Sequence, residues 1–276
     1  MAGDPPPPEA LGRARRHGRR PPGAAAPPRG ELWTERTVAW YERANAGSDY
    51  AAKVLAALEP LLADCRTALD VGAGFGALAR PLARRMAHVT ALEPAAAMAA
   101  ALRRAVAREG HGNVTVLEAA WGAVPLPPHD LVLCAQVGPL LRDAAFLRAA
   151  RDVARRGVAL VQNAPGGDDK FFFAELCPRL CGRAYGSGGE AAALLRTLAD
   201  LGVAPEVTTI EYRSDQPFES LEEACEFWMT YLGRADAEAR AFLRQFLPGR
   251  LERREGGWIA PCRRRAQVVQ WRVAAP

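Results

Sequence analysis

Ala68-Leu-Asp-Val-Gly-Ala-Gly-Phe-Gly76 is the stretch whose reading decides the fold. A short apolar strand runs directly into Gly-x-Gly-x-Gly, and a helical pattern follows. Glycines there let the backbone turn sharply and approach a ligand with no Cβ in the way. The helix that follows offers unpaired N–H groups and a positive dipole end, which suit a carboxylate or a phosphate. Seventeen residues beyond Gly76, at the end of the next apolar run, stands Glu93. An acid at that place is positioned to accept the two hydroxyls of a ribose.

Working outward from that stretch, strand and helix patterns alternate. Arg66–Val71, Val89–Glu93, Val114–Glu118, Leu131–Ala135 and Val158–Gln162 read as strands, with helices at Ala95–Glu109 and Asp143–Arg156. Short buried strands separated by amphipathic helices predict a mostly parallel sheet in right-handed βαβ units, with helices on both faces. Beyond Asn163 come a Gly/Asp loop, helices near 171–180 and 190–201, and a strand at Val207–Tyr212. Ser220 and Glu223 have the spacing of a capping box and open a helical insertion over 219–254. The alternating run Ala266–Val273 closes the chain as an antiparallel final strand. Before the first strand, residues 31–64 carry two helical patterns rich in aromatics, an N-terminal helical lid.

Residues 1–30 have a different texture. They hold eight of the 22 prolines, six arginines against Asp4 and Glu9, and no aromatic residue. Such a segment buries too little apolar surface to offset its ordering entropy, so a disordered Pro/Arg-rich tail is expected, with one folded domain over 31–276. The chain as a whole carries +5. That excess sits almost entirely in the tail, so the basic pI describes the tail and not a nucleic-acid-binding face on the body. Nearly every basic residue is arginine, Lys53 and Lys170 being the exceptions. No apolar run approaches the roughly 20 residues that span a bilayer, and no secretory h-region is seen. A cytoplasmic protein without membrane partners is expected. The six cysteines make no disulfide framework; Cys177 and Cys181 share a helix spacing but lack a second ligand pair, so no metal is expected.

The glycine motif formally satisfies the nicotinamide pattern through Gly72, Gly74 and Ala77. The run Leu-Asp-Val-Gly-x-Gly-x-Gly, with Leu92-Glu93-Pro94 after it, more closely resembles the class I S-adenosylmethionine (SAM)-dependent methyltransferases, whose third glycine falls at Gly76 and whose preceding acid falls at Asp70. The resemblance implies a Rossmann-like fold and SAM as cofactor. It implies Gly72, Ala73, Gly74 and Gly76 along the methionine moiety, Asp70 bracing that loop, and Glu93 with Pro94 at the ribose. It also places Ala120 where the family keeps an acid for the adenine amino group, a departure, with Trp121 beside adenine and Gln136 at the end of the fourth strand. The segment Gln216-Pro-Phe-Glu-Ser-Leu-Glu-Glu-Ala is similar to one in bacterial methyltransferases of this size.

A small-molecule methyl acceptor is expected, its oxygen, nitrogen, sulfur or carbon attacking in line. Substrate-facing candidates are Trp33 and Tyr41 in the lid, Asn163 after the fifth strand, and Phe171 and Tyr185 beyond it. Trp40, Tyr50, Phe227, Trp228 and Tyr231 extend that aromatic set, although Trp228 and Tyr231, three apart on one helix face, suit packing on the sheet as well. Bases in reach of such a site include Asp168, Glu175, Tyr185 and Tyr231, with no His–carboxylate pair to single one out. Two other readings stay open. One is a SAM-binding protein without catalysis, given Ala120. The other is an RNA methyltransferase that uses the basic tail.

Overall fold

The apolar runs become strands in a computed structural model, which describes residues 32–185 and 190–273. The expectation for residues 1–30 lies outside the described part. Seven strands form the main sheet: β1 (Thr67–Val71), β2 (His88–Leu92), β3 (Val114–Leu117), β4 (His129–Ala135), β5 (Ala154–Asn163), β6 (Glu206–Arg213) and, last in the chain, β10 (Arg263–Arg272). Their order is β3-β2-β1-β4-β5-β10-β6. All pairings are parallel except those of β10, which runs antiparallel to both β5 and β6. The chain reverses direction beside β1, where it crosses from β3 to β4. Ligands of open α/β sheets sit at such a switch point, outside the carboxyl ends of the strands.

Period-two alternation divides the core into two faces. Ala68, Leu131, Leu133, Ala159, Val161, Ala266 and Val268 pack on one side under α2 (Tyr50–Leu62). Their neighbours Leu69, Val71, Val132, Cys134, Leu160 and Val269 pack on the other, under α6 (Ala144–Val153) and α8 (Glu190–Asp200). Around β1 and β2 lie α3 (Ala79–Ala83) and α4 (Ala96–Glu109), with the single turn α5 (Gly138–Leu141) after β4.

Of the two helices expected to form a lid, α1 (Glu35–Ala46) lies off the main sheet, against α4 and the insertion. Helix α2 carries Val54, Leu55, Leu58 and Leu61 on its apolar stripe, and that stripe buries on the main sheet. α1 begins at a reciprocal cap in which Thr34 and Thr37 each accept the other's backbone N–H. α7 (Phe173–Leu180) follows the loop after β5.

The insertion carries more than helices. α9 (Leu221–Leu232) and α10 (Ala237–Phe246) are accompanied by a small antiparallel sheet, β7 (Gln216–Phe218), β9 (Gly257–Ala260) and β8 (Glu252–Arg254) in that order. Gly257 explains the close fit of β9 on β7, since a Cβ there would stand 2.2 Å from the Phe218 carbonyl oxygen. At the start of α9, Ser220 Oγ accepts the Glu223 N–H as expected. Glu223, however, turns its carboxylate to the Glu219 N–H, to Trp40 Nε1 and to Arg43. The acid of the capping box thereby fastens the insertion to α1. Trp40, Leu176, Phe218, Phe227, Trp228 and Leu243 belong to one buried cluster, a second core outside the sheet.

Candidate active site

Backbone geometry builds the first half of the site. Gly72, Gly74 and Gly76 have φ of +73°, +58° and +89°, conformations that disfavour any side chain. The N–H groups of Gly72 and Ala73 both donate to the Leu92 carbonyl oxygen, at 2.7 and 3.1 Å. Glu93 completes the loop: one carboxylate oxygen accepts the Gly74 N–H and the other the Ala95 N–H, each at 2.8 Å. It thus clips the turn after β1 to the turn after β2, while each oxygen keeps a further lone pair.

The three glycines serve different ends. A Cβ on Gly72 would meet Val137 Cγ2 at 2.4 Å, and one on Gly76 would meet Leu102 Cδ1 at 2.3 Å, so both are held by packing. A Cβ on Gly74 would have nothing nearer than Met98 Sδ at 3.9 Å. The open side of the loop is therefore at Gly74, beside Glu93. Asp70 is buried below it, and burial, then the neighbouring Glu93, raise its carboxyl to a pKa of about 7. A buried acid with so high a pKa and an open, small-residue loop above it fit a ligand that brings a positive charge.

The other cofactor candidates are dispersed around this loop. Pro94 is exposed between Glu93 and Ala95, and Ala120 is exposed with its carbonyl taken by the Ala123 N–H. Trp121 packs edge-on against Phe146, 5.1 Å between ring centroids, which fixes its ring on the flank of α6. Gln136 leaves β4 at φ +61°, one of two non-glycine residues with positive φ among those described. Strain of this kind at the carboxyl end of a strand marks a position the surrounding structure enforces.

Side chains build the second half. A cavity of about 680 Å³ opens at the carboxyl ends of β4 and β5, between α1 and the insertion. Trp33, Tyr41, Asn163, Phe171 and Tyr185, scattered over 153 positions of sequence, all line it, and so does Gln136. So do Tyr50, Tyr212 and Tyr231, which brings all five tyrosines of the chain to one cavity. Tyr41 joins the halves: its ring meets Phe75 of the glycine loop edge-on at 5.1 Å and stacks on Trp33 at 5.8 Å. On the opposite wall Phe171 lies against Phe227 and Tyr231, at 5.7 and 4.7 Å.

Other aromatics and acids named from the sequence lie elsewhere. Trp40 and Trp228 are buried inside the insertion core, their indole N–H groups bonded to Glu223 and to the Phe171 carbonyl. Glu175 points outward and pairs with Arg250, so it is no base for this cavity. Asp168 lines the cavity but accepts the Arg263 N–H at 2.6 Å. Burial pushes the phenols of Tyr50 and Tyr231 above their ordinary range, so these are hydrogen-bond donors at neutral pH rather than bases. Among the described residues no cluster of His, Cys, Asp and Glu could hold a metal ion, and no helix is long and apolar enough to cross a membrane.

Sequence reasoning missed Lys170, Tyr212, Ser214 and Arg264, all of which line the cavity. One signal was present: Lys170 is a lysine in a chain whose basic residues are otherwise arginine, save Lys53.

Comparison with known proteins gives a consistent picture. Residues 68–157 match the family model of a methyltransferase domain. No curated protein matches the chain. Among solved structures, a candidate methyltransferase from Bacillus halodurans C-125 superposes with a TM-score of 0.51 at 18% identity, over 80% of this chain and 99% of that one. The magnesium protoporphyrin IX methyltransferase of Synechocystis PCC 6803, solved with S-adenosylhomocysteine (SAH), gives 0.46 at 17%, over 80% and 82%.

Proposed function

We propose that this chain, whose residues 68–157 match the family model of a methyltransferase domain, is a class I SAM-dependent methyltransferase that transfers the methyl group of SAM to a small molecule held in the cavity beneath α1. One observation carries this reading. The open face of the glycine loop at Gly74, with Glu93 beside it, and the tyrosine-lined cavity meet at Tyr41, whose ring touches Phe75 and also lines the cavity. A donor and an acceptor seated in these halves face one another across the switch point of the sheet.

The bound donor supplies an electrophilic methyl on a sulfonium. The protein's work is to bind, orient and exclude water. Gly72, Ala73 and Gly74 give close backbone approach, and Asp70 answers the positive charge of the methionine portion. Glu93 offers its spare lone pairs to the ribose hydroxyls, with Pro94, Ala120 and Trp121 flanking the nucleoside. Gln136 sits where the methyl would face the acceptor. The residues of the cavity would hold the acceptor atom in line with that methyl, and alignment in a dry site would provide most of the rate. The buried phenols orient the nucleophile by donating hydrogen bonds, and an acceptor that ionises readily needs no protein base.

Calorimetric titration of SAH tests the donor half. Wild type is expected to bind at micromolar concentration, and Gly74→Ala at least about tenfold more weakly, because its added methyl enters the ligand's space at a cost of a kcal/mol or two. Absence of SAH binding by folded wild type would overturn the reading.

A further inference from the structure

Lys170 is the one lysine or arginine among the described residues whose side chain is buried in the folded chain. Its ammonium group has a single protein hydrogen bond, Nζ donating to Ser214 Oγ at 3.0 Å. Lysine is seldom buried unless a carboxylate answers it. No carboxylate bonds it directly: Asp215 acts on it only at a distance, and the nearby acids have other hydrogen-bond partners. Asp168 accepts the Arg263 N–H, and Asp169 accepts the N–H groups of Phe171 and Ala174. Asp215 accepts the Cys262 N–H and lies 3.7 Å from Arg213 Nε.

A second cation lines the same wall. Arg264 stands opposite Tyr212 in the β10–β6 register. Its guanidinium donates to Asn163 Oδ1 at 2.6 Å and has no ion-pair partner among the described residues. Guanidinium groups present five donors, so capacity remains. Deeper in, Tyr50 Oη and Gln136 Nε2 are buried without a hydrogen bond of acceptable geometry. Both line the cavity, and Tyr50 is close enough to Asp70 to feel its charge. The cavity thus has cations on one wall, two unsatisfied neutral groups on the floor toward the donor loop, and aromatic rings between.

We propose that the methyl acceptor is a planar aromatic carboxylate, its carboxylate held by Lys170 and Arg264 and its reacting end on Tyr50 and Gln136. This rests on the methyltransferase reading and adds the chemical class of the acceptor. The ligand's carboxylate supplies the counter-charge that Lys170 lacks. Its ring lies between Tyr41 and the Phe171–Tyr231 pair, and its nucleophilic oxygen, which gives its proton to solvent before methyl transfer, accepts from the two buried groups, Tyr50 Oη and Gln136 Nε2. Lys170 and Arg264 are then binding residues that exclude neutral analogues, since an amide leaves both cations unanswered.

Two isosteric probes with hydroxyl and carboxyl group at opposite ends of the ring system test this, 6-hydroxy-2-naphthoate and 6-hydroxy-2-naphthamide, titrated into the SAH-saturated protein. The carboxylate is expected to bind at least tenfold more tightly than the amide. Lys170→Met and Arg264→Gln should each abolish that preference, while Lys170→Arg, which keeps the charge, should retain most of it. Urea unfolding separates binding from structure: Lys170→Met is expected to be at least as stable as wild type, whereas a purely structural lysine would leave it less stable. Equal affinity for the two probes, absence of carboxylate binding up to millimolar concentration, or a preference surviving Lys170→Met overturns the proposal. Because SAH is titrated first and separately, a failed donor site shows itself before the acceptor probes are added.

Discussion

The two halves of the site are made of different materials. Around Gly72–Gly76 nearly everything is backbone: carbonyl Leu92, the N–H groups of Gly72, Ala73, Gly74 and Ala95, and one carboxylate that ties them. Around the cavity nearly everything is side chain, with five phenols, a buried ammonium and a guanidinium from seven separate elements and loops. The donor half is satisfied within itself. The acceptor half retains unmet hydrogen-bonding capacity at Tyr50, Gln136 and Lys170. A ligand that every family member shares can be held by backbone; a ligand particular to one member has to be held by side chains.

The largest expected effect breaks the donor half. Glu93→Ala removes two charge-assisted hydrogen bonds to the loop as well as the ribose acceptor, so SAH affinity should fall by roughly 100-fold or more, at about 1.5–3 kcal/mol per such bond. Calorimetry reads this directly, with circular dichroism to establish that the sheet persists. Retained affinity would mean that the loop holds its shape without the clip.

Asp70 sharpens the comparison through pH. Its pKa is about 7 in the folded chain, against about 3.9 when unfolded. Between those values the folded state binds the extra proton, so stability without ligand should decline as pH rises from about 4 to 7, by on the order of 2–4 kcal/mol. Asp70→Asn should flatten that slope in urea unfolding and gain stability at pH 8. SAH, which brings an ammonium, should bind with proton release near pH 6–7, and the variant should show none.

Lys170 carries the opposite sign. Burial lowers its pKa to about 8, so above that value the unfolded chain holds the proton more tightly. Stability should rise with pH from about 8 to 10.5. Replacement by Met should remove that rise and add about 1–3 kcal/mol at pH 7. The smallest effect concerns Tyr50→Phe. Its hydroxyl lies beside the Gln136 amide without a hydrogen bond of acceptable geometry, so stability should shift by less than about 0.5 kcal/mol. Turnover should fall about tenfold, as for one lost hydrogen bond to the reacting group.

The sequence discloses these halves unequally, for a physical reason. The donor loop is local: strand, glycines, helix and acid lie within 26 consecutive residues, Ala68–Glu93, and their spacing carries their geometry. The sheet is legible for the same reason, since Leu131–Ala135 and Val158–Gln162 state their burial by composition. The cavity is assembled by topology. Tyr50 meets Tyr212 at 4.8 Å across 162 positions, and no local pattern announces such a pair. Trp40 shows the converse error. As a bare letter it resembles Tyr41, and only the helix face it occupies separates a core residue from a wall residue. The strands β7–β9 escaped notice because three or four residues give too few alternations to register.

Helix α1 belongs to two buried clusters. Val38 packs with Phe75 and Met98 on the glycine loop, and Trp40 packs with Phe227 inside the insertion. Glu223 and Arg43 add a polar fastening to the second attachment. The helix is therefore a rivet and not a flap: lifting it separates two interfaces in one event. Under the proposed function, entry and exit of both ligands would be coupled to a single opening step. The kinetic signature of such an arrangement is a turnover number set by release, with a steep temperature dependence and little sensitivity to the acceptor's intrinsic reactivity.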